Sequence, residues 1–170
     1  AISIGTSGTQ TSVGTCNTSG TAWGIGATGK FNSSLNFDGT DDYITVTNSN
    51  SLKFGSNDFS ISMWTFRSGT GVQGGAYISK GGYIRGFDTY DNIFRVNTNS
   101  GELAHVNLSA TLNTWENHIF VVSQSSTPYI KHYINGIFNN SGYSGPGNLG
   151  TFNSDDYDLL IGKSTAGGVL

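Results

Sequence analysis

An all-β antiparallel sandwich is the fold this sequence predicts, on three observations. Apolar residues recur in short runs with a period of two. Turn residues punctuate the chain, with 25 Gly against only 2 Pro. No stretch shows a sustained helical period with caps at its ends. The 170 residues suffice for one domain with a core, and aromatic residues at 12% argue against disorder.

The elements follow in chain order. Residues 1–28 are dominated by Ser, Thr and Gly and read as an N-terminal segment or linker. Within them Ala1–Ile4 is a short strand candidate, and Trp23-Gly24-Ile25-Gly26 fits the edge of a core. The sandwich domain spans residues 29–170. Leu35 and Phe37 alternate with polar neighbours, as do Ile44 and Val46. In Phe59-Ser60-Ile61-Ser62-Met63-Trp64, the residues Phe59, Ile61 and Met63 face one way. Further strands are predicted at Ala76–Ser79, Tyr83–Phe87, Ile93–Val96 and Leu103–Leu108. His118-Ile119-Phe120-Val121-Val122 is apolar on both faces and reads as a central strand. Tyr129–Ile134 leads into Asn135-Gly136 and then Ile137-Phe138, a hairpin signal because Asn and Gly tolerate positive φ. Tyr157–Ile161 is the last strand. The core is expected from Leu35, Phe37, Ile44, Phe59, Ile61, Met63, Phe120, Val122, Ile134 and Leu160. Trp64 and Trp115 lie in strand patterns and are expected to join it.

Charge excludes some functions. Charged residues make up only 11%, and the net charge is −3. The 8 Lys and Arg are scattered, whereas nucleic acid needs clustered cations, so nucleic acid is not an expected partner. No apolar run approaches a membrane span, so membrane insertion is not expected either. Cys16 is the single cysteine and has no internal partner. Asn17, Asn32, Asn107 and Asn139 each begin an Asn-x-Ser/Thr sequon, a pattern that chance supplies readily in a chain this rich in Asn, Ser and Thr.

A set of ordered segments carries a family resemblance. They are Gly29-Lys30-Phe31, Leu35-Asn36-Phe37-Asp38-Gly39-Thr40-Asp41-Asp42-Tyr43-Ile44, Ser51-Leu52, Asp58–Trp64 and Ile78-Ser79-Lys80-Gly81. Trp115 with His118-Ile119, Tyr133-Ile134-Asn135-Gly136 and Leu160-Ile161-Gly162 complete it. Over roughly residues 29–162 the chain resembles the concanavalin A-like lectin/glucanase superfamily, in particular its laminin G-like (pentraxin-like) jelly-roll domains. The resemblance implies a jelly-roll β-sandwich. It also implies a closing segment, aromatic-x-Gly-x-Ile-Asp-Glu-Val, after the Ile-Gly strand. Here the sequence instead runs out at Gly167-Gly168-Val169-Leu170; either the chain continues, or a partner supplies that strand, or a sheet edge lies open to pairing.

Candidate sites are few. The resemblance implies a structural Ca²⁺ at the corner formed by Asp38 and the Gly39 carbonyl, where hard oxygen ligands would gather. The Asp of the closing segment would help to hold it. The alternative is a turn in which Asp38, Asp41 and Asp42 bond local backbone N–H groups. Asp155-Asp156, with Asp158, is a second acidic cluster, either a Ca²⁺ loop or a solvated run. Tyr83, Arg85, Tyr90, Asn92, Tyr143 and Asn148 sit in or beside Gly-rich loops. They mix aromatic planes for sugar faces with groups that bond hydroxyls; the alternative is ordinary packing and turn formation. No catalytic residues are expected. The superfamily's glucanases use Glu-x-Asp-x-x-Glu, which brings two carboxylates about 5–5.5 Å apart. This chain has only Glu102 and Glu116, without that spacing, and Asp88 with Asp91 is a weak pair. His105, His118 and His132 lack metal-like spacing, and His118 reads as a core or strand-edge histidine.

The sequence therefore predicts a non-catalytic, lectin-like recognition or adhesion module. Its expected partners are glycans or cell-surface polysaccharide, and its expected place is extracellular, on a cell surface or a virion surface. The alternative is a structural subunit of a fibre, filament, tail or capsid decoration. Such a subunit would pair with copies of itself through sheet edges, for instance through Ala1–Ile4.

Overall fold

The computed structural model describes residues 2–5, 29–31, 34–37, 42–55, 57–69, 76–81, 86–90, 92–98, 101–123, 129–142 and 156–164. These include eleven strands: β1 (Ile2–Gly5), β2 (Tyr43–Val46), β3 (Phe59–Phe66), β4 (Ile78–Lys80), β5 (Gly86–Tyr90), β6 (Ile93–Thr98), β7 (Gly101–Asn107), β8 (Trp115–Val122), β9 (Ile130–Ile134), β10 (Ile137–Gly142) and β11 (Leu159–Ile161). The only helical element among the described residues is one 3-10 turn at Asn50–Leu52.

The strands form two antiparallel sheets. One has seven strands in the order β1-β2-β11-β4-β5-β6-β7, and the other has four in the order β10-β9-β8-β3. The chain is thus the predicted antiparallel β-sandwich. In β3 the burial alternates residue by residue, and in β8 Glu116, His118, Phe120 and Val122 turn inward while Trp115, Asn117, Ile119 and Val121 turn outward. The Asn135-Gly136 turn joins β9 to β10 with φ of 52° and 81°, as an Asn-Gly hairpin requires.

Aromatic rings bind the two sheets together. Phe54, Phe59, Phe87, Phe94 and Phe120 contact one another in succession, with centroid distances from 4.2 to 5.9 Å. The run continues through His132, stacked 4.7 Å from Phe120, to His118, 5.2 Å further on. Ile44, Phe120 and Val122 are buried as expected, and Phe59, Ile61 and Met63 pack against the same core.

Several expectations need correction. Leu160 pairs with Thr45 and Ser79, so the period of two puts it on the face opposite its neighbour Leu159; Leu159 is the residue that packs on the core. Leu35, Phe37 and Ile134 are only half-buried. Trp64 is 39% exposed and Trp115 half-buried, because both lie on the outward face of the four-stranded sheet. Much of the core instead comes from β6, β7 and β9: Phe94, Val96, Ala104, Val106 and Ile130.

Among the described residues, β1 and β7 are the edge strands of the seven-stranded sheet. Ile2–Gly5 pairs with Tyr43–Val46 of the same chain, where the sequence suggested a neighbouring subunit. At the other edge, the Asn107 carbonyl of β7 accepts a hydrogen bond from Asn140 Nδ2 at 3.0 Å, so the two sheets meet there.

Lys80 shows how one buried cation organises the loops beside β11. It is fully buried, and its ammonium donates to Asn48 Oδ1 at 3.0 Å and to the Tyr157 carbonyl. Asn48 N–H in turn donates to Asp158 Oδ1 at 2.8 Å. The strand then ends at Gly162, whose φ is +81° and whose N–H bonds the Tyr77 carbonyl at 3.0 Å. A Cβ at Gly162 would lie 2.5 Å from the Phe37 ring. Gly162→Ala is therefore expected to destabilise the fold by about 1–3 kcal/mol through strain and overpacking. A urea unfolding midpoint equal to the wild type would show that Phe37 swings aside freely.

Candidate functional site

Most of the sites singled out in the sequence fall outside the described residues. Asp38, Gly39, Asp155, Tyr83, Arg85, Tyr143 and Asn148 all do so. Asp156 is exposed in the turn before β11. Among the described residues, no three His, Cys, Asp or Glu side chains gather as a metal site would require.

Tyr90 and Asn92 are described, and both are engaged internally. Tyr90 ends β5 and lies half-buried, with its ring 4.5 Å from the Arg95 guanidinium. Arg95 in turn grips Asp88 with two hydrogen bonds, at 2.6 and 2.9 Å. Asn92 is exposed, but its side chain accepts from Arg67 Nη1 at 3.2 Å and its carbonyl accepts from Leu108 N–H at 2.8 Å. The two residues therefore brace the β5–β6 turn, and Tyr90 covers a buried ion pair.

Exposed aromatic surface lies elsewhere, on the outward face of the four-stranded sheet. Directly opposed residues of an antiparallel pair share a face. The register then sets Ser62, Ile119, Tyr133 and Phe138 in one row across β3, β8, β9 and β10. Beside it, Trp64 opposes Asn117 and Phe66 opposes Trp115. Phe31 stands on Trp64 edge to face, with centroids 5.6 Å apart and planes at 84°. Phe66 and Trp115 lie 5.5 Å apart, and Tyr133 and Phe138 5.7 Å apart. Phe31 at 69%, Phe138 at 54%, Phe66 at 44% and Trp64 at 39% are all substantially exposed. Exposed apolar side chains gathered on one face mark a candidate interaction surface.

Polar groups sit within this band. Asn117 Nδ2 donates to Ser62 Oγ at 3.2 Å and to the Met63 carbonyl at 3.3 Å, which holds its side chain flat along the sheet. Lys30 places its ammonium 5.3 Å from the Trp64 ring. The arrangement offers flat apolar planes for stacking, flanked by hydrogen-bonding groups and a cation. The sequence did hold a signal for it. If Phe59, Ile61 and Met63 face the core, then Ser60, Ser62, Trp64 and Phe66 must face out.

On the inward face of the same sheet lies a buried polar row. His118 Nδ1 and His132 Nε2 are 3.0 Å apart, and His132 Nδ1 lies 3.2 Å from the Asn107 carbonyl. His118 Nε2 faces Glu116 Oε2 at 3.6 Å. Glu116 is already held by the Thr111 N–H and hydroxyl, both at 2.8 Å. Burial lowers the His118 pKa, although Glu116 opposes the shift. Burial and the neighbouring His118 lower that of His132 to about 4. The two imidazoles and the carboxylate are buried, whereas Thr111 and Asn107, which hold the two ends of the row, lie at the surface.

Comparison with known proteins bears on the fold. A laminin G-like family model, described as the concanavalin A-like lectin/glucanases superfamily, matches residues 38–169. No curated protein matches the chain. Among solved structures, one of botulinum neurotoxin type C is similar, with a TM-score of 0.51 and 17% identity. The match covers 71% of this chain but only 31% of that one. That toxin depends on interaction with two ganglioside molecules to enter cells. At this identity the likeness speaks for the fold alone.

Proposed function

The chain belongs to the concanavalin A-like lectin/glucanase superfamily, and from that premise we propose that it is a non-catalytic carbohydrate-binding module. The observation that carries this reading is the exposed aromatic band on the four-stranded sheet. Pyranose rings present flat C–H faces that stack on indole and phenyl planes, with amides and hydroxyls beside them to bond the sugar oxygens. Trp64 and Tyr133 lie two strands and two residues apart, about 12 Å by ordinary sheet spacings. That span suits an oligosaccharide better than a single sugar. The ganglioside dependence of the neurotoxin is consistent with a glycan ligand.

Two buried carboxylates support the non-catalytic reading. Asp88 is committed to Arg95, and Glu116 to Thr111. Neither is offered to a substrate as a hydrolytic pair requires. A glycan-binding module of this kind works outside the cell or on a cell or virion surface, where polysaccharide is met.

The test is a glycan array followed by titration of the best ligand. Trp64→Ala is expected to weaken binding about tenfold or more, as removal of a stacking anchor does. Tyr90→Ala is expected to lower stability and leave the affinity of the folded protein unchanged. If no glycan binds, or if Trp64→Ala binds as the wild type does, the reading fails.

A further inference from the structure

We propose that the ligand of the aromatic band is an acidic oligosaccharide, one carrying carboxylate or sulfate groups, seated on Trp64 with its anionic group at Lys30. This inference rests on the carbohydrate reading above and adds the class of sugar. Its basis is the distribution of charge over the face. The described residues turned outward on β3, β8, β9 and β10 include Lys131, and Lys30 stands over Trp64. They include no carboxylate, although the chain as a whole carries a net charge of −3. The other described acidic groups lie elsewhere. Asp88 and Glu116 are buried, and Asp156 and Asp158 flank the turn before β11. Asp58, just ahead of β3, is six residues from Trp64, about 20 Å along an extended strand.

The same distribution argues against the other occupants of an apolar face. A second copy docked about a two-fold axis through Trp64 would set Lys30 toward Lys30, with Asp58, held by Ser123 at the far end of the face, about 20 Å away along the strand. A neutral sugar would use the rings but leave the lysines without a role. An acidic sugar uses both. Its ring stacks on the indole of Trp64, and its anion replaces part of the hydration of an ammonium that already lies 5.3 Å from that ring. Phe31 stands against one side of the indole and Asn117 lies across from it on β8, so the sugar would be confined to the strip between them.

The experiment is calorimetric titration of the purified chain with three probes: a sulfated heparin oligosaccharide, an oligogalacturonate and a neutral cello-oligosaccharide. Each is run at low and at physiological ionic strength. One acidic probe is expected to bind about tenfold more tightly than the neutral one at low salt, with the margin shrinking as salt rises. Lys30→Gln is expected to abolish that margin, whereas Lys53→Gln, an exposed lysine away from the band, should preserve it. Trp64→Ala should weaken both kinds of ligand. Equal affinity for acidic and neutral probes, or a margin that survives Lys30→Gln, overturns this inference while leaving the carbohydrate reading standing. Absence of binding to all three, with binding to anionic lipid vesicles instead, overturns both. Self-association that Trp64→Ala abolishes, without sugar binding, does the same.

Discussion

Asp88→Ala is expected to destabilise the protein by about 3–5 kcal/mol, enough to leave much of the chain unfolded at ordinary temperature. Asp88 is fully buried and Arg95 is 6% exposed. The guanidinium holds both carboxylate oxygens, the Ser164 hydroxyl lies 3.4 Å from one of them, and the Tyr90 ring covers the other side. Removing the carboxylate leaves a cation in a place that water cannot reach well, and Arg95 cannot escape by losing its proton. The pair itself is a different matter. Two charges taken out of water gain little over a well-packed apolar pair, so Asp88→Leu with Arg95→Met is expected to recover most of the loss. Urea unfolding of the two single variants and the double variant forms a double-mutant cycle. If Asp88→Ala costs under about 1 kcal/mol, the carboxylate is not compensating a buried charge.

That ion pair also shows where sequence reasoning stopped. The sandwich was legible because its signal is repetition. Alternating runs at Phe59–Trp64, a two-faced apolar run at His118–Val122 and the Asn135-Gly136 turn each specify a strand or a hairpin by local chemistry. The β5 prediction ended at Phe87, because Asp88 and Thr89 interrupt the apolar pattern. Yet Tyr90 pairs with Ile93, and that register sets Asp88 opposite Arg95. A charge inside a strand is stable only once its partner is known, and the partner is fixed by a register that composition does not reveal. The candidate binding face was hidden for a related reason. Tryptophan is usually buried, which would place Trp64 and Trp115 in the core. Strict alternation from Phe59 puts Trp64 outside, and here the period is a better guide than the propensity. The loop residues that a Gly-rich context offers for sugar binding show the opposite bias. Tyr90 and Asn92 look available in a Gly-rich context, yet both are taken up by arginines that lie far from them in sequence or across a hairpin.

Acidification from pH 6.5 to about 4 is expected to remove roughly 2–3 kcal/mol of stability through the buried histidines. The row runs from the Asn107 carbonyl through His132 and His118 toward Glu116, and Asn139 Nδ2 lies 3.2 Å from His132 Nδ1. His118 Nε2 has no hydrogen-bond partner, since Glu116 Oε2 stands 3.6 Å away. A proton added to His132 would place a positive charge among Phe120, Phe94 and the second imidazole, away from solvent. Burial and the neighbouring ring therefore hold the His132 pKa down to about 4, below its ordinary 6.5. In the unfolded chain the same ring takes up its proton near 6.5. Between these two values the unfolded state binds more protons than the folded state, so stability falls as pH falls. Above 6.5 both states are neutral and the contribution is complete; below about 4 both are protonated and the loss stops growing. Urea unfolding across this window gives the slope, and His132→Phe, which extends the aromatic stack, should flatten it. A directly measured His132 pKa near 6.5 in the folded protein would show that the row accommodates the added proton without cost. The inward face would then be wetter and more polar than a closed sandwich core allows.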